Sequence, residues 1–170
     1  DETAHVEIGL KRFIGMPGDL IYDEDDPSNA LVLNNAGNGL AVRFTPEQYG
    51  KVLATSVYFW DTSWPTPGGT EIGFGIFEVT GADPTMNFRQ VGDTVWRDDI
   101  VRGAWNRVDL EEINFSTDGD FYISTIQKYA GQENPGVAID EAGAADRSYM
   151  YLGDAFQLIS VEDIAGGLMI

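Results

Sequence analysis

Apolar and polar positions alternate with period two along most of this chain, and no long stripe of period 3.6 interrupts them. Leu40, Val42 and Phe44 fall on one face of a candidate strand. Residues 52–60 form a longer one, with Val57 and Phe59 facing opposite to Tyr58 and Trp60. Ile72, Phe74 and Ile76 share a face, and Gly73 and Gly75 occupy the other, where a neighbouring group can approach closely. Residues 105–110 alternate so that Val108 and Leu110 point inward, and residues 121–127 are rich in aromatic and β-branched side chains. Shorter candidates are 30–33, 136–139, 149–152, 155–158 and 167–170. Turn-forming clusters separate them at 34–39, 65–69, 117–120 and 134–136. This spacing predicts an all-β chain, a jelly-roll-like antiparallel β-sandwich. One short helical turn is expected near 45–50, with Thr45 as cap and Pro46 in the first helical position.

The first dozen residues read separately. Residues 4–10 alternate like the last strand of another domain, and Phe13-Ile14-Gly15-Met16-Pro17-Gly18 reads as a linker. The expected division is a leftover strand and linker from a preceding β domain over 1–12, then a jelly-roll β-sandwich module over 13–170.

Composition narrows the partners. At 170 residues the chain fits one domain able to bury a core without covalent staples. It contains no cysteine, which removes disulfides and thiolate chemistry. The net charge of −18, from 28 acids and 10 bases, argues against nucleic acid and against an anionic lipid surface. No apolar run reaches the length of a membrane span, so no membrane insertion is expected. Self-repulsion favours a monomer. Only Lys11, Lys51 and Lys128 are lysines, and an acid-rich, lysine-poor surface suits high salt or high pH as well as ordinary secretion.

Chemistry is sparse. The only histidine is His5, in the amino-terminal appendage, so no Ser-His-Asp site is expected and no catalytic residue is assigned. A glycosidase needs only two carboxylates, but no pair stands out among the 28 acids. The densest acidic run, Asp23-Glu24-Asp25-Asp26, precedes Ser28 and Asn29. Four adjacent carboxylates repel one another unless solvated or neutralised, so they are the candidate ligands for Ca2+; the alternative is a solvated charged loop. Asp118, Asp120, Asp140 and Glu141 are weaker candidates. The aromatic set is Tyr58, Trp60, Trp64, Trp96 and Trp105. Trp60 and Trp64, at a strand end and in a proline-rich loop, are the candidate ligand-binding residues, able to stack on sugar rings or grip apolar side chains. Burial at the sandwich ends is the competing role.

Several longer stretches carry a family likeness. Phe13–Gly18 leads into Tyr22-Asp23; Ala36-Gly37-Asn38-Gly39-Leu40-Ala41-Val42 follows; then Phe59-Trp60-Asp61-Thr62-Ser63-Trp64-Pro65-Thr66-Pro67-Gly68-Gly69-Thr70-Glu71. Gly119-Asp120-Phe121-Tyr122, Pro135-Gly136-Val137-Ala138-Ile139-Asp140-Glu141 and Arg147-Ser148-Tyr149 complete the series. In this order they resemble the C-terminal modules of secreted subtilisin-like serine proteases of the bacillopeptidase F family, from about residue 11 to 170. The resemblance implies an extracellular parent protease whose catalytic triad lies outside this chain, preceded here by a regulatory-like β domain. It transfers no catalytic residue. Where that family tends to read Tyr-Asp-Asp-Gly, this chain has Tyr22-Asp23-Glu24-Asp25-Asp26-Pro27. The expected function is a non-catalytic accessory domain that recruits substrate or surface, or stabilises the parent. A carbohydrate- or cell-wall-binding module and a plain structural spacer are the alternatives. A protein or polysaccharide is the expected partner.

Overall fold

A computed structural model describes residues 19–159 and 165–170. Among the described residues thirteen strands follow in chain order: β1 (Pro27–Leu31), β2 (Gly39–Phe44), β3 (Gly50–Lys51), β4 (Ala54–Phe59), β5 (Ile72–Val79), β6 (Phe88–Arg97) and β7 (Ala104–Asp109). Then come β8 (Ser116–Thr117), β9 (Phe121–Ile126), β10 (Val137–Asp140), β11 (Ser148–Tyr151), β12 (Phe156–Leu158) and β13 (Gly167–Leu168). All pairings are antiparallel. One sheet runs β1-β10-β4-β7, with β13 also on β10; a second runs β12-β11-β2-β9-β5-β6; β3 and β8 form a small third. The expected all-β sandwich is what forms.

The period-two pattern places the core between the two larger sheets. Val57, Phe59, Val108, Val137 and Ile139 from one sheet meet Leu40, Val42, Phe74, Ile76 and Ile123 from the other. Phe59 and Phe74 touch edge-to-face across the gap, with centroids 6.5 Å apart. Each such ring stabilises the fold by about 1.5–3 kcal/mol relative to exposure. The six-stranded sheet also buries its outer face. Ala41, Phe77, Tyr122, Ile126, Tyr149 and Phe156 form a second cluster there, with Tyr122 and Phe156 stacked at 4.0 Å. Residues 80–87 lie over it: Phe156 donates its N–H to the carbonyl of Thr85, and the Tyr122 hydroxyl donates to that of Pro84. Gly73 and Gly75 admit close neighbours, as expected. A Cβ at Gly73 would lie 2.5 Å from Thr94 Cγ2 and 3.2 Å from the Trp96 ring.

Within the described residues one sequence expectation fails and one long strand was not expected. No helical turn forms at 45–50; residues 45–49 bend and Gly50–Lys51 pair with Ser116–Thr117. The cap is spent elsewhere, because Thr45 Oγ1 accepts from Arg147 and the Thr45 N–H donates to the Tyr22 hydroxyl. Single turns of 3-10 helix occur instead at Glu111–Ile113, Gly131–Glu133 and Ala145–Arg147. The longest strand, β6, has no counterpart in the periodicity. Phe74 pairs with Val95 while Ile76 pairs with Val91, so a bulge slips the register, with Gly92 at φ +67°. His5, the appendage over 1–12 and the linker at 13–18 lie outside the described residues.

Candidate binding site

The acidic run leads into β1, and the structure distributes its four carboxylates differently. Asp23 is buried and accepts the N–H of Asp25; Glu24 and Asp26 are exposed. Asp25 adopts φ +64° and accepts from the indole Nε1 of Trp105 at 2.8 Å. The organising carboxylate is a fifth one. Asp140, 1% exposed at the end of β10, accepts the N–H groups of Glu24, Asp26 and Ala142 at 2.5, 3.4 and 2.8 Å. A buried carboxylate needs such compensation, and charge-assisted bonds supply it. Among the described residues, no group of three or more Asp, Glu or His side chains is placed to hold a metal.

The tryptophan loop after β4 is built around an arginine. Arg102 donates to the carbonyls of Pro67, Asp61 and Pro65 at 3.0, 2.6 and 2.8 Å. Gly68 sits at φ +78°, and a Cβ there would collide with this guanidinium. The peptide bonds Trp64–Pro65 and Thr66–Pro67 are cis. Buried Asn134 supports the neighbouring turn, donating to the carbonyls of Tyr129 and Gly131 and accepting the Tyr129 N–H. Trp64 rests on Gly136, where a Cβ would lie 3.0 Å from the ring, and the Trp60 N–H donates to the Gly136 carbonyl. Ser63 donates both its N–H and its hydroxyl to the Asp61 carboxylate. These Ser63 bonds, and then the Arg102 charge, hold the Asp61 carboxyl below the usual aspartate value.

The acidic run and the tryptophans meet. Pro27, Tyr58, Trp60 and Asp61 line a shallow depression of about 200 Å³. Asn29, Ala30, Trp60 and Trp64 line an adjoining one of about 260 Å³. Trp60 is the shared wall, and both Trp60 and Trp64 are half-exposed. Tyr58 meets Trp105 edge-to-face at 5.7 Å, which extends the aromatic row toward Asp25. Trp96, 50% exposed on β6, belongs to the other sheet and stands apart from this row. Arg102, Asn134 and the pivotal role of Asp140 escape a sequence reading. The partners of Arg102 and the Glu24 and Asp26 amides on Asp140 come from distant loops, while Asn134 bonds within its own turn, to Tyr129 and Gly131.

No family model matches the chain, and no solved structure does. Bacillopeptidase F of Bacillus subtilis (strain 168) is 34% identical over 155 residues. That alignment covers 89% of this chain but only 11% of bacillopeptidase F. At that identity over nearly all its length, the chain is a homologue of one small segment of bacillopeptidase F.

Proposed function

We propose that this chain is a non-catalytic accessory module of an extracellular subtilisin-like serine protease, holding protein substrate near the parent's active site. The observation that carries this reading is the match of nearly the whole chain to about a ninth of a peptidase. The chemistry agrees with it: the only histidine in the sequence is His5, and residues 19–159 and 165–170 contain none. Recruitment needs no strong site. A weak groove on a tether raises the local concentration of substrate into a range where a millimolar affinity matters. The test is deletion of this module from its parent chain. Hydrolysis of a small soluble peptide should stay unchanged, while degradation of an insoluble protein falls several-fold. Unchanged activity on both would leave a structural spacer.

A polysaccharide ligand is the second reading, favoured by the half-exposed rings of Trp60 and Trp64. Co-sedimentation with insoluble polysaccharides, lost in Trp64→Ala, is its signature.

A further inference from the structure

We infer that the paired depressions accept an extended, basic polypeptide segment, with an arginine or lysine side chain between Trp60, Tyr58 and Asp61. This rests on the recruitment reading and names the ligand class for it. Aromatic faces attract cations, indole most strongly, and Trp60 walls both depressions. The first depression adds a carboxylate to that wall. Asp61 is held ionised by Ser63 and, less strongly, by the charge of Arg102, whose Nη1 and Nη2 donors are turned to three loop carbonyls rather than to the carboxylate. The approach is acidic as well. Pro27 directly follows Asp25 and Asp26, within a chain of net charge −18.

A neutral sugar would need paired amide and hydroxyl groups, and the first depression offers few. Its tyrosine hydroxyl, on Tyr58, already donates to the Gly103 carbonyl. Its remaining side-chain polar groups are a carboxylate and the indole of Trp60. The second depression suits the next residue on the same face of an extended peptide, about 6.6 Å along. Trp60, Trp64 and Ala30 favour an apolar or proline side chain there, and Asn29 can bond the peptide backbone.

The test uses the whole chain and three capped peptides of one sequence, repeats of Arg-Gly-Pro-Gly that set arginine and proline two residues apart, with arginine replaced by citrulline or glutamate in the controls. Binding is read by calorimetry and by intrinsic tryptophan fluorescence. The arginine peptide should bind about tenfold more tightly than the citrulline one, and the glutamate peptide not at all. Asp61→Asn, which keeps an acceptor for Ser63, should weaken the arginine peptide about fivefold with only a small fall in Tm and an unchanged circular dichroism spectrum. Trp60→Phe should weaken it while preserving the fold, should Trp60→Ala prove too disruptive. Equal binding of arginine and citrulline peptides, binding of none, or displacement by oligosaccharide would each overturn the inference. Failure here combined with a positive deletion result in the parent would leave recruitment standing with a different ligand. Peptide binding without any deletion effect would remove recruitment instead.

Discussion

On the outer face of the six-stranded sheet, Phe77, Tyr122, Tyr149 and Phe156 are buried beneath residues 80–87 and neighbouring strands. At the other sheet, Tyr58, Trp60, Trp64 and Trp105 stay half-exposed beside Asp25 and Asp61. Both regions are aromatic patches. What separates them is the cover. One has a loop whose backbone bonds to Phe156 and Tyr122, so its rings pack on one another as core. The other has its loop tied to Arg102 through three of its carbonyls, and its rings and the Asp61 carboxylate keep a face to solvent. An exposed aromatic patch that the fold holds open, rather than closes, is where a ligand is expected.

The largest effect should come from removing a ring on the closed side. Phe156→Ala deletes the partner stacked on Tyr122 and should cost about 3–5 kcal/mol, read as a lower urea midpoint at unchanged slope. Trp64→Ala, on the open side, should cost less than Phe156→Ala, about 2 kcal/mol, because that ring is only partly buried. Equal costs would mean that the two patches are not different in kind.

Next in size is Asp140→Ala. It strands the N–H groups of Glu24, Asp26 and Ala142 and should destabilise by about 2–4 kcal/mol. Amide exchange should speed up first at those three positions. Because β1 carries Pro27 and Asn29 into the groove, the loss should also blunt ligand binding. Unperturbed exchange at residues 24 and 26 would separate the acidic loop from the groove.

The contrast between the patches was partly legible in advance. Alternation placed β2, β4, β5 and β7 because each has a face in the core, and aromatic and β-branched content placed β9. Trp60 and Trp64 stood out because tryptophan in a proline- and glycine-rich loop has no strand face to bury. The second core was not legible: residues 121–127 are buried on both faces, so periodicity says nothing about what covers the outer one. The same holds for Gln127, whose buried amide pairs with the backbone N–H and carbonyl of Leu33 as a strand would, across 94 residues. β6 was hidden by its bulge, and the roles of Asp140 and Arg102 depend on loops that only folding brings together.

A pH series should pull the two patches apart with smaller effects. Burial, and then the neighbouring Tyr149, push the Tyr122 hydroxyl well above the ordinary phenol value of 10.0. A raised folded value means the stabilisation is complete below about pH 10 and is lost as pH rises beyond it, since the unfolded chain ionises first. Tyr122→Phe should therefore lose about 1 kcal/mol at neutral pH, from the bond to Pro84, yet decline less steeply above pH 10. The open patch behaves oppositely. Asp61 lies below its ordinary 3.8, so its contribution is present above that pH and fades as pH falls through the lower folded value. Urea midpoints from pH 3 to 11 for wild type, Tyr122→Phe and Asp61→Asn would resolve both limbs. Parallel alkaline limbs in wild type and Tyr122→Phe would remove the buried phenol as their cause.

The smallest expected effect concerns calcium. Four consecutive acids invite a cation, but the fold gives the neighbourhood a different neutralisation. Asp140 takes three backbone N–H groups, Asp25 takes the Trp105 indole, and Asp23 takes the Asp25 N–H. A calcium ion needs six to eight oxygens, so it would have to displace several of these donors to complete its shell. Melting temperatures in millimolar calcium and in chelator, at matched ionic strength, should differ by less than about 2 °C. The matching matters, because a chain of net charge −18 gains stability from any added salt through relief of self-repulsion. A larger, calcium-specific rise that disappears in Asp25→Asn would place a cation between the acidic run and the aromatic row. It would also change the groove's electrostatics, since a bound dication beside Pro27 would repel the basic side chain that the open patch is expected to hold.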